Sequence, residues 1–234
     1  AQRAMTSPDG INWTMRNAAE NNFWQYITYG NGLFVAVACG TTACGTGSAN
    51  YVMTSPDGIT WTPQVEAVEN QWAGVTYGNG QFVAVARSGT QRVMTSPDAV
   101  TWTAQTAAAN NAWWRVMYVD GQFVAISATT STSTAVMTSP DGVTWTSRAA
   151  AGGQDWTGLA YGKGKLVAVS QTGTDRVMRS EAGFGDNTPI TLYVDGDAVD
   201  ATTLTGGSSA TGTVEASLYQ NYVVAKFATT SQPI

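Results

Sequence analysis

Met53-Thr-Ser-Pro-Asp-Gly-Ile-Thr-Trp-Thr62 decides the fold, because the chain spells it again at residues 5–14, 94–103 and 137–146. A worn copy begins Met178-Arg-Ser-Glu-Ala-Gly. Within the stretch, Ser55-Pro56-Asp57-Gly58 carries the chemistry of a type I turn: serine accepts from the backbone ahead, proline presets φ, and glycine relieves the fourth position. The flanking residues 51–54 and 59–62 are β-branched or aromatic and alternate in polarity. The unit therefore predicts a β-hairpin whose second strand puts Ile59 and Trp61 on one face and Thr60 and Thr62 on the other.

Ahead of each such hairpin stands a second repeated unit. Residues 72–86 place two β-rich runs around Gly78-Asn79-Gly80, a tight-turn signal, and the unit returns at 24–38, 114–127 and 156–170. Together the two units make four strands, A to D. Strand B, Phe82-Val83-Ala84-Val85 in one copy, is apolar throughout and is expected to be covered on both faces. The methionine markers at 5, 53, 94, 137 and 178 stand 48, 41, 43 and 41 residues apart, the long first interval carrying an insertion at 39–50. Four short strands per period of about 41 residues predict a β-propeller blade.

The fold class expected is thus all-β, a propeller of five blades in which the two chain ends share one. Residues 1–17 hold only strands C and D, and residues 217–227 align with an A–B pair if two turn residues are dropped. Closing the ring this way leaves about 20 residues beyond the period, carried by 186–213, where Pro189-Ile-Thr-Leu-Tyr-Val-Asp-Gly196 has strand and hairpin character and a Gly/Ser/Thr-rich run follows. The domain division is residues 1–185 for the blades and 186–234 for a C-terminal β segment. The alternative is that 186–234 forms a separate small β-domain or donates strands to a neighbouring subunit.

The repeated turn resembles the Asp-box, or BNR repeat, Ser-x-Asp-x-Gly-x-Thr-Trp, although here one residue fewer separates Asp from Trp. The resemblance implies that Asp9, Asp57, Asp98 and Asp141 are structural turn residues rather than catalytic ones. Each turn offers one carboxylate, where calcium needs six to eight oxygens, so no metal is expected. Trp61, Trp102 and Trp145 are expected to be buried between adjacent blades, and Trp13 occupies the matching position. Closely repeated blades of this type look like those of phage and bacterial surface proteins.

Composition narrows the function classes. Only 12% of residues are charged, the net charge is −5, and 8 Arg with 3 Lys are spread along the chain, which offers no nucleic acid a basic patch. No apolar run approaches the roughly 18 residues of a membrane span. Without an initiator Met or a signal peptide, the chain reads as processed or as a fragment. Histidine is absent, which removes the commonest general base and most zinc sites. Cys39 and Cys44 sit in a polar, loop-like insertion, where a local disulfide is preferred over two free thiols.

A ligand site belongs most naturally at the end that carries the variable B–C and D–A connections. There, amide or acidic side chains stand beside a tryptophan: Asn22 and Trp24, Asn70 and Trp72, Asn111 and Trp113, Asp155 and Trp156. Such pairs suit sugars, by hydrogen bonds to hydroxyls and by ring stacking; equally, the tryptophans pack between blades and the amides cap turns. Sialidase chemistry is not expected, since the chain is short and Arg87, Arg92, Arg115 and Arg176 follow the repeat. Glu20, Glu66, Glu69, Asp155 and Asp175 show no spacing that singles out a glycosidase pair. The function expected is a non-enzymatic, cofactor-free structural or adhesion propeller of an extracellular or virion surface, with protein partners or surface glycans. A soluble lectin is the runner-up.

Overall fold

A computed structural model describes residues 2–40, 44, 50–129, 133–174 and 176–180, with the backbone of four C-terminal strands. Asp175, most of the insertion and the Gly/Ser/Thr-rich stretch lie outside the described residues. The chain divides into two compact units, Ala1–Gly185 and Asp186–Ile234.

The first unit opens with a hairpin, β1 (Gln2–Thr6) and β2 (Thr14–Asn17). Three four-stranded antiparallel blades follow. The first is β3 (Trp24–Gly30), β4 (Leu33–Ala38), β5 (Val52–Ser55) and β6 (Thr62–Gln64). The second is β7 (Trp72–Gly78), β8 (Gln81–Ala86), β9 (Val93–Ser96) and β10 (Thr103–Gln105). The third is β11 (Ala112–Val119), β12 (Gln122–Ala128), β13 (Val136–Ser139) and β14 (Thr146–Arg148). A fourth shows β15 (Trp156–Gly162), β16 (Lys165–Ser170) and β17 (Val177–Arg179). In the second unit β18 (Leu192–Val194) pairs with β19 (Asp197–Val199), and β20 (Val214–Tyr219) with β21 (Tyr222–Phe227). The architecture is an all-β propeller whose A strands lie innermost and side by side.

Every A–B hairpin of the first unit turns on two residues with positive φ: Asn31 (47°) and Gly32 (77°), Asn79 (48°) and Gly80 (77°), Asp120 (46°) and Gly121 (78°), Lys163 (51°) and Gly164 (71°). Both central residues in the left-handed region make a type I′ turn, whose twist matches that of the strands it joins. Every A strand also bulges just after its tryptophan, between Trp24 and Tyr26, Trp72 and Gly74, Trp113 and Arg115, Trp156 and Gly158. The third unit of this kind therefore starts at Trp113, one residue before the Trp114 start expected from the alignment.

The turn at the Asp-box is larger than a four-residue β-turn. Thr54 pairs with Thr62, so strand D begins at Thr62, and Ile59 and Trp61 belong to the loop. The reason lies in Asp57. Its Oδ1 accepts the N–H groups of Ile59 (2.8 Å) and Thr60 (3.0 Å), which takes both donors away from the ladder. Ser55 Oγ donates to the same oxygen at 3.0 Å and accepts the Gly58 N–H at 2.8 Å. The Trp61 indole N–H closes the loop on the Gly58 carbonyl at 3.1 Å. Asp9, Asp98 and Asp141 repeat the arrangement, each Oδ1 taking two N–H groups at 2.8–2.9 Å.

Strand B supplies the packing between blades through its alternation. Val35 and Val37 of β4 join Phe82, Ala84 and Trp102 of the second blade in one buried cluster. Val83 and Val85 of β8 join Phe123 and Ala125 of the third. Val124 and Ile126 of β12 join Leu166 and Ala168 of the fourth. In β16 the same outward positions, Val167 and Val169, are 38% and 48% exposed, so the coverage of both faces expected for strand B stops at the fourth blade.

Of the Asp-box tryptophans expected to be buried, Trp102 is, at 8% exposure, while Trp61 and Trp145 are half-buried and Trp13 is 55% exposed. The Trp102 and Trp145 indoles pack against the strand B valines of the preceding blade, and among the described residues no blade stands ahead of the hairpin β1–β2. Trp102→Ala should cost about 3–5 kcal/mol in denaturant unfolding, and Trp13→Ala well under half of that.

The aspartate pKa values give a second prediction. Backbone N–H donors, with Asn12 first at Asp9, Thr60 at Asp57, Thr101 at Asp98 and Thr144 at Asp141, hold all four carboxyls below the usual range. A depressed folded pKa adds stability that is complete above the unfolded value, about pH 4, and is lost as pH falls through the folded one. The melting temperature should therefore drop steadily on acidification below about pH 4. Asp98→Asn should melt lower than the native chain at neutral pH, with the gap closing in acid.

Candidate functional site

The end of the blades opposite the Asp-boxes carries the residues expected to bind a ligand, and the structure assigns most of them to loop capping and packing. Asn22 donates from Nδ2 to the Asn50 carbonyl at 2.8 Å, Asn111 to that of Thr134 at 2.6 Å, and Asn70 to that of Gln91. Each amide thus ties the D–A loop to the residue two positions before strand C. Asn22 and Asn70 are buried, and Asn111 is half-buried. Trp72, Trp113 and Trp156 are buried to within 1% and leave no ring face to stack on a sugar. Trp24 is half-buried. All four indoles donate to the carbonyl four residues earlier: Trp24 to Glu20, Trp72 to Val68, Trp113 to Ala109 and Trp156 to Gly152, at 2.9–3.3 Å.

The fourth blade departs from this pattern. Gln154 takes the place of the asparagines, and Asp155 falls in register with Gln71, as their backbones show. The Asp155 carbonyl accepts the Gln171 N–H at 3.1 Å, as that of Gln71 accepts the Arg87 N–H at 2.9 Å. Asp155 is half-buried, and its carboxylate is not committed to a cap in the way the asparagine amides are.

The carboxylates considered for glycosidase chemistry have structural partners. Glu66 accepts the Tyr51 N–H at 2.8 Å, Glu69 the Tyr51 hydroxyl at 3.1 Å, and Glu20 the Asn50 amide at 3.4 Å. Asp175 lies outside the described residues. Among the described residues no three His, Cys, Asp or Glu side chains gather in a metal-ligand cluster. No helix there is long and apolar enough to cross a membrane. Cys39 and Cys44 are joined as a disulfide with Cα atoms 4.6 Å apart, and the Cys44 carbonyl accepts from Gln71 Nε2 at 2.7 Å.

The arginines part company. Arg92 and Arg176 hold equivalent loops, donating from Nε to the carbonyls of Gly89 (3.1 Å) and Gly173 (2.9 Å). Arg87 and Arg115 instead reach across blades. Burial lowers the pKa of both, and the charge of Arg115 further lowers that of Arg87. Their sequence positions follow the repeat, as expected, yet their side chains leave their own blades, Arg87 lying over the Trp114 ring and Arg115 over that of Tyr26.

A second concavity, of about 560 Å³, separates the hairpin β1–β2 from the first blade and is lined by Met5, Trp13, Trp24, Ile27 and Trp61 among others. Arg3 bridges its rim, donating from Nε to Asn21 Oδ1 at 2.7 Å and lying 5.8 Å from the centre of the Phe23 ring.

No family model matches the chain, and neither does any curated protein. Among solved structures it is similar to the computationally designed Ika4 protein, at 13% identity and a TM-score of 0.49 over 70% of this chain and 94% of that one. YCF48 bound to a D1 peptide matches at 13% identity and a TM-score of 0.48, over 64% of this chain and 48% of YCF48. A subtype N11 neuraminidase-like protein of A/flat-faced bat/Peru/033/2010 matches at 13% identity and a TM-score of 0.39, over 66% of this chain and 48% of that one. The match thus spans about half the length of the last two.

Proposed function

We propose that the chain is a non-enzymatic structural or adhesion module of an extracellular or virion surface, built as a propeller that its own last strands complete. The observation that carries this is the contrast between near-identical sequences in unlike surroundings. Met53, Met94 and Met137 are at most 2% exposed, whereas Met5, in the same motif, is 57% exposed on a hairpin without A and B strands. At the other end of the array, Val167 and Val169 present the apolar face that buries a following blade elsewhere.

The hairpin β20–β21 has the build of the missing pair. It pairs six residues with six, as β3–β4, β7–β8 and β15–β16 do. In this proposal Val214–Tyr219 and Tyr222–Phe227 act as strands A and B beside β1, covering an open edge that would otherwise invite intermolecular pairing. A disulfide and a lightly charged surface suit an oxidising, extracellular setting. The runner-up, a soluble lectin, needs ring faces that Trp72, Trp113 and Trp156 do not present.

Deleting residues 214–234 should lower the melting temperature of the whole domain by more than about 10 °C and make it self-associate, and the added peptide should restore both. A truncated protein that melts with the full chain and stays monomeric would overturn the closure. Saturable binding of neutral glycans on an array by the intact monomer would favour the lectin.

A further inference from the structure

At the end of the array opposite the Asp-boxes, a cavity of about 510 Å³ opens where the second, third and fourth blades meet. Three repeat positions line it. The residue before each A-strand tryptophan contributes Gln71 and Asp155, and the bulged residue after it contributes Trp114 and Thr157. The residue that follows strand B contributes Arg87 and Gln171. A bulge re-aims one side chain of a strand, so the same local irregularity in each blade sends a residue to the mouth of the axis. Gly74 makes the approach feasible: a Cβ there would stand 2.9 Å from the Trp114 carbonyl oxygen of the next blade.

Arg87 is held and yet underused. Its guanidinium carbon lies 4.5 Å from the centre of the Trp114 ring, and Nη2 points at the Cys44 sulfur, a weak acceptor. Its Nε is buried and meets no acceptor among the described residues. Arg115 sits close by, donating from Nη1 to the carbonyls of Ala73 (3.1 Å) and Trp114 (2.9 Å), with its guanidinium carbon 4.6 Å from the centre of the Tyr26 ring. Arg87 is thus the one cation, and Asp155 the one carboxylate, among the described residues lining the mouth, with the charge of Arg115 felt nearby. Buried cations that lack matched acceptors are costly, and an anion arriving with planar oxygens removes that cost.

We propose that this mouth binds a small carboxylate-bearing ligand, with Arg87 taking the carboxylate and Asp155, Thr157 and Gln171 taking its hydroxyl or amide groups. The volume suits a molecule of monosaccharide to dipeptide size. The proposal goes beyond the assembly reading and stands without it.

Calorimetric titration of the full-length protein tests it, with glucuronate and N-acetyl-dialanine as probes and glucose and N-acetyl-dialanine amide as their neutral counterparts. At least one acid should bind saturably and about tenfold or more tighter than its neutral counterpart. Binding of glucuronate alone assigns a sugar acid, and binding of the dipeptide alone a peptide terminus. Arg87→Met, which keeps an apolar stem on Trp114, should weaken binding at least about tenfold, and Arg87→Lys should recover part of it. Arg148→Gln removes the same charge at a position where the first two blades already carry Gln64 and Gln105, and should leave binding unchanged. Melting curves certify that each variant is folded. Acids that fail to bind, acids that bind no better than their neutral counterparts, or a folded Arg87→Met that binds as the native chain does would overturn the proposal.

Discussion

One carboxylate oxygen per blade sets the geometry on which the rest depends. A loop of six residues between strands C and D leaves amide N–H groups without ladder partners. Asp57 Oδ1 takes two of them, Ser55 Oγ takes a third, and the indole of Trp61 is then pinned to the Gly58 carbonyl. Satisfying the turn therefore also aims a large ring. Since at Trp102 and Trp145 that ring packs against the preceding blade, a local hydrogen-bond device becomes part of the packing between blades. The copy at residues 94–103 shows how firm the frame is. Ala99 replaces the glycine at a φ of 62°, a conformation costing a non-glycine residue about 1–2 kcal/mol, yet its N–H still reaches Ser96 Oγ at 2.8 Å.

Much of this was legible in the sequence. The period, the hairpins and the two-residue glycine turns follow from repeated local chemistry, which needs no knowledge of the neighbours. The disulfide between Cys39 and Cys44 was legible for the same reason, being five residues long. What could not be read was anything decided by the next blade. Val83 and Val167 occupy the same strand position in similar company, and only the presence of a third blade against one of them buries it. The start of strand D was also hidden, because residues 59–62 alternate like a strand while Asp57 diverts two of their N–H groups.

The variable end was misleading in a more instructive way. An amide beside a tryptophan suits a sugar, but it suits a loop cap equally, and the amides of Asn22, Asn70 and Asn111 are committed to carbonyls across their loops. The residues that do converge, Arg87, Trp114 and Asp155, come from three blades and share no local pattern. The bulge after Trp113 makes matters worse, since simple alternation places Trp114 and Trp113 on opposite faces without saying that one reaches the axis. Arg87 and Arg115 look as regularly spaced as Arg92 and Arg176, yet the latter pair close their own loops, and the former reach rings on other blades.

The two ends of the array differ because their backbones are committed to different degrees. At the Asp-box end nearly every N–H of the turn has an assigned acceptor within the same few residues, so a change of length or residue type breaks several bonds at once. At the other end the ties run between separate connections, an asparagine to a carbonyl, an indole to the carbonyl four residues earlier or an arginine Nε to a glycine, and these tolerate the insertion that carries the disulfide. Differences between blades can therefore accumulate at that end without loosening the sheets beneath it. Four near-identical blades can only make a symmetric mouth; it is the freedom of these connections that lets one blade offer a guanidinium, the next an indole and the third a carboxylate to the same space.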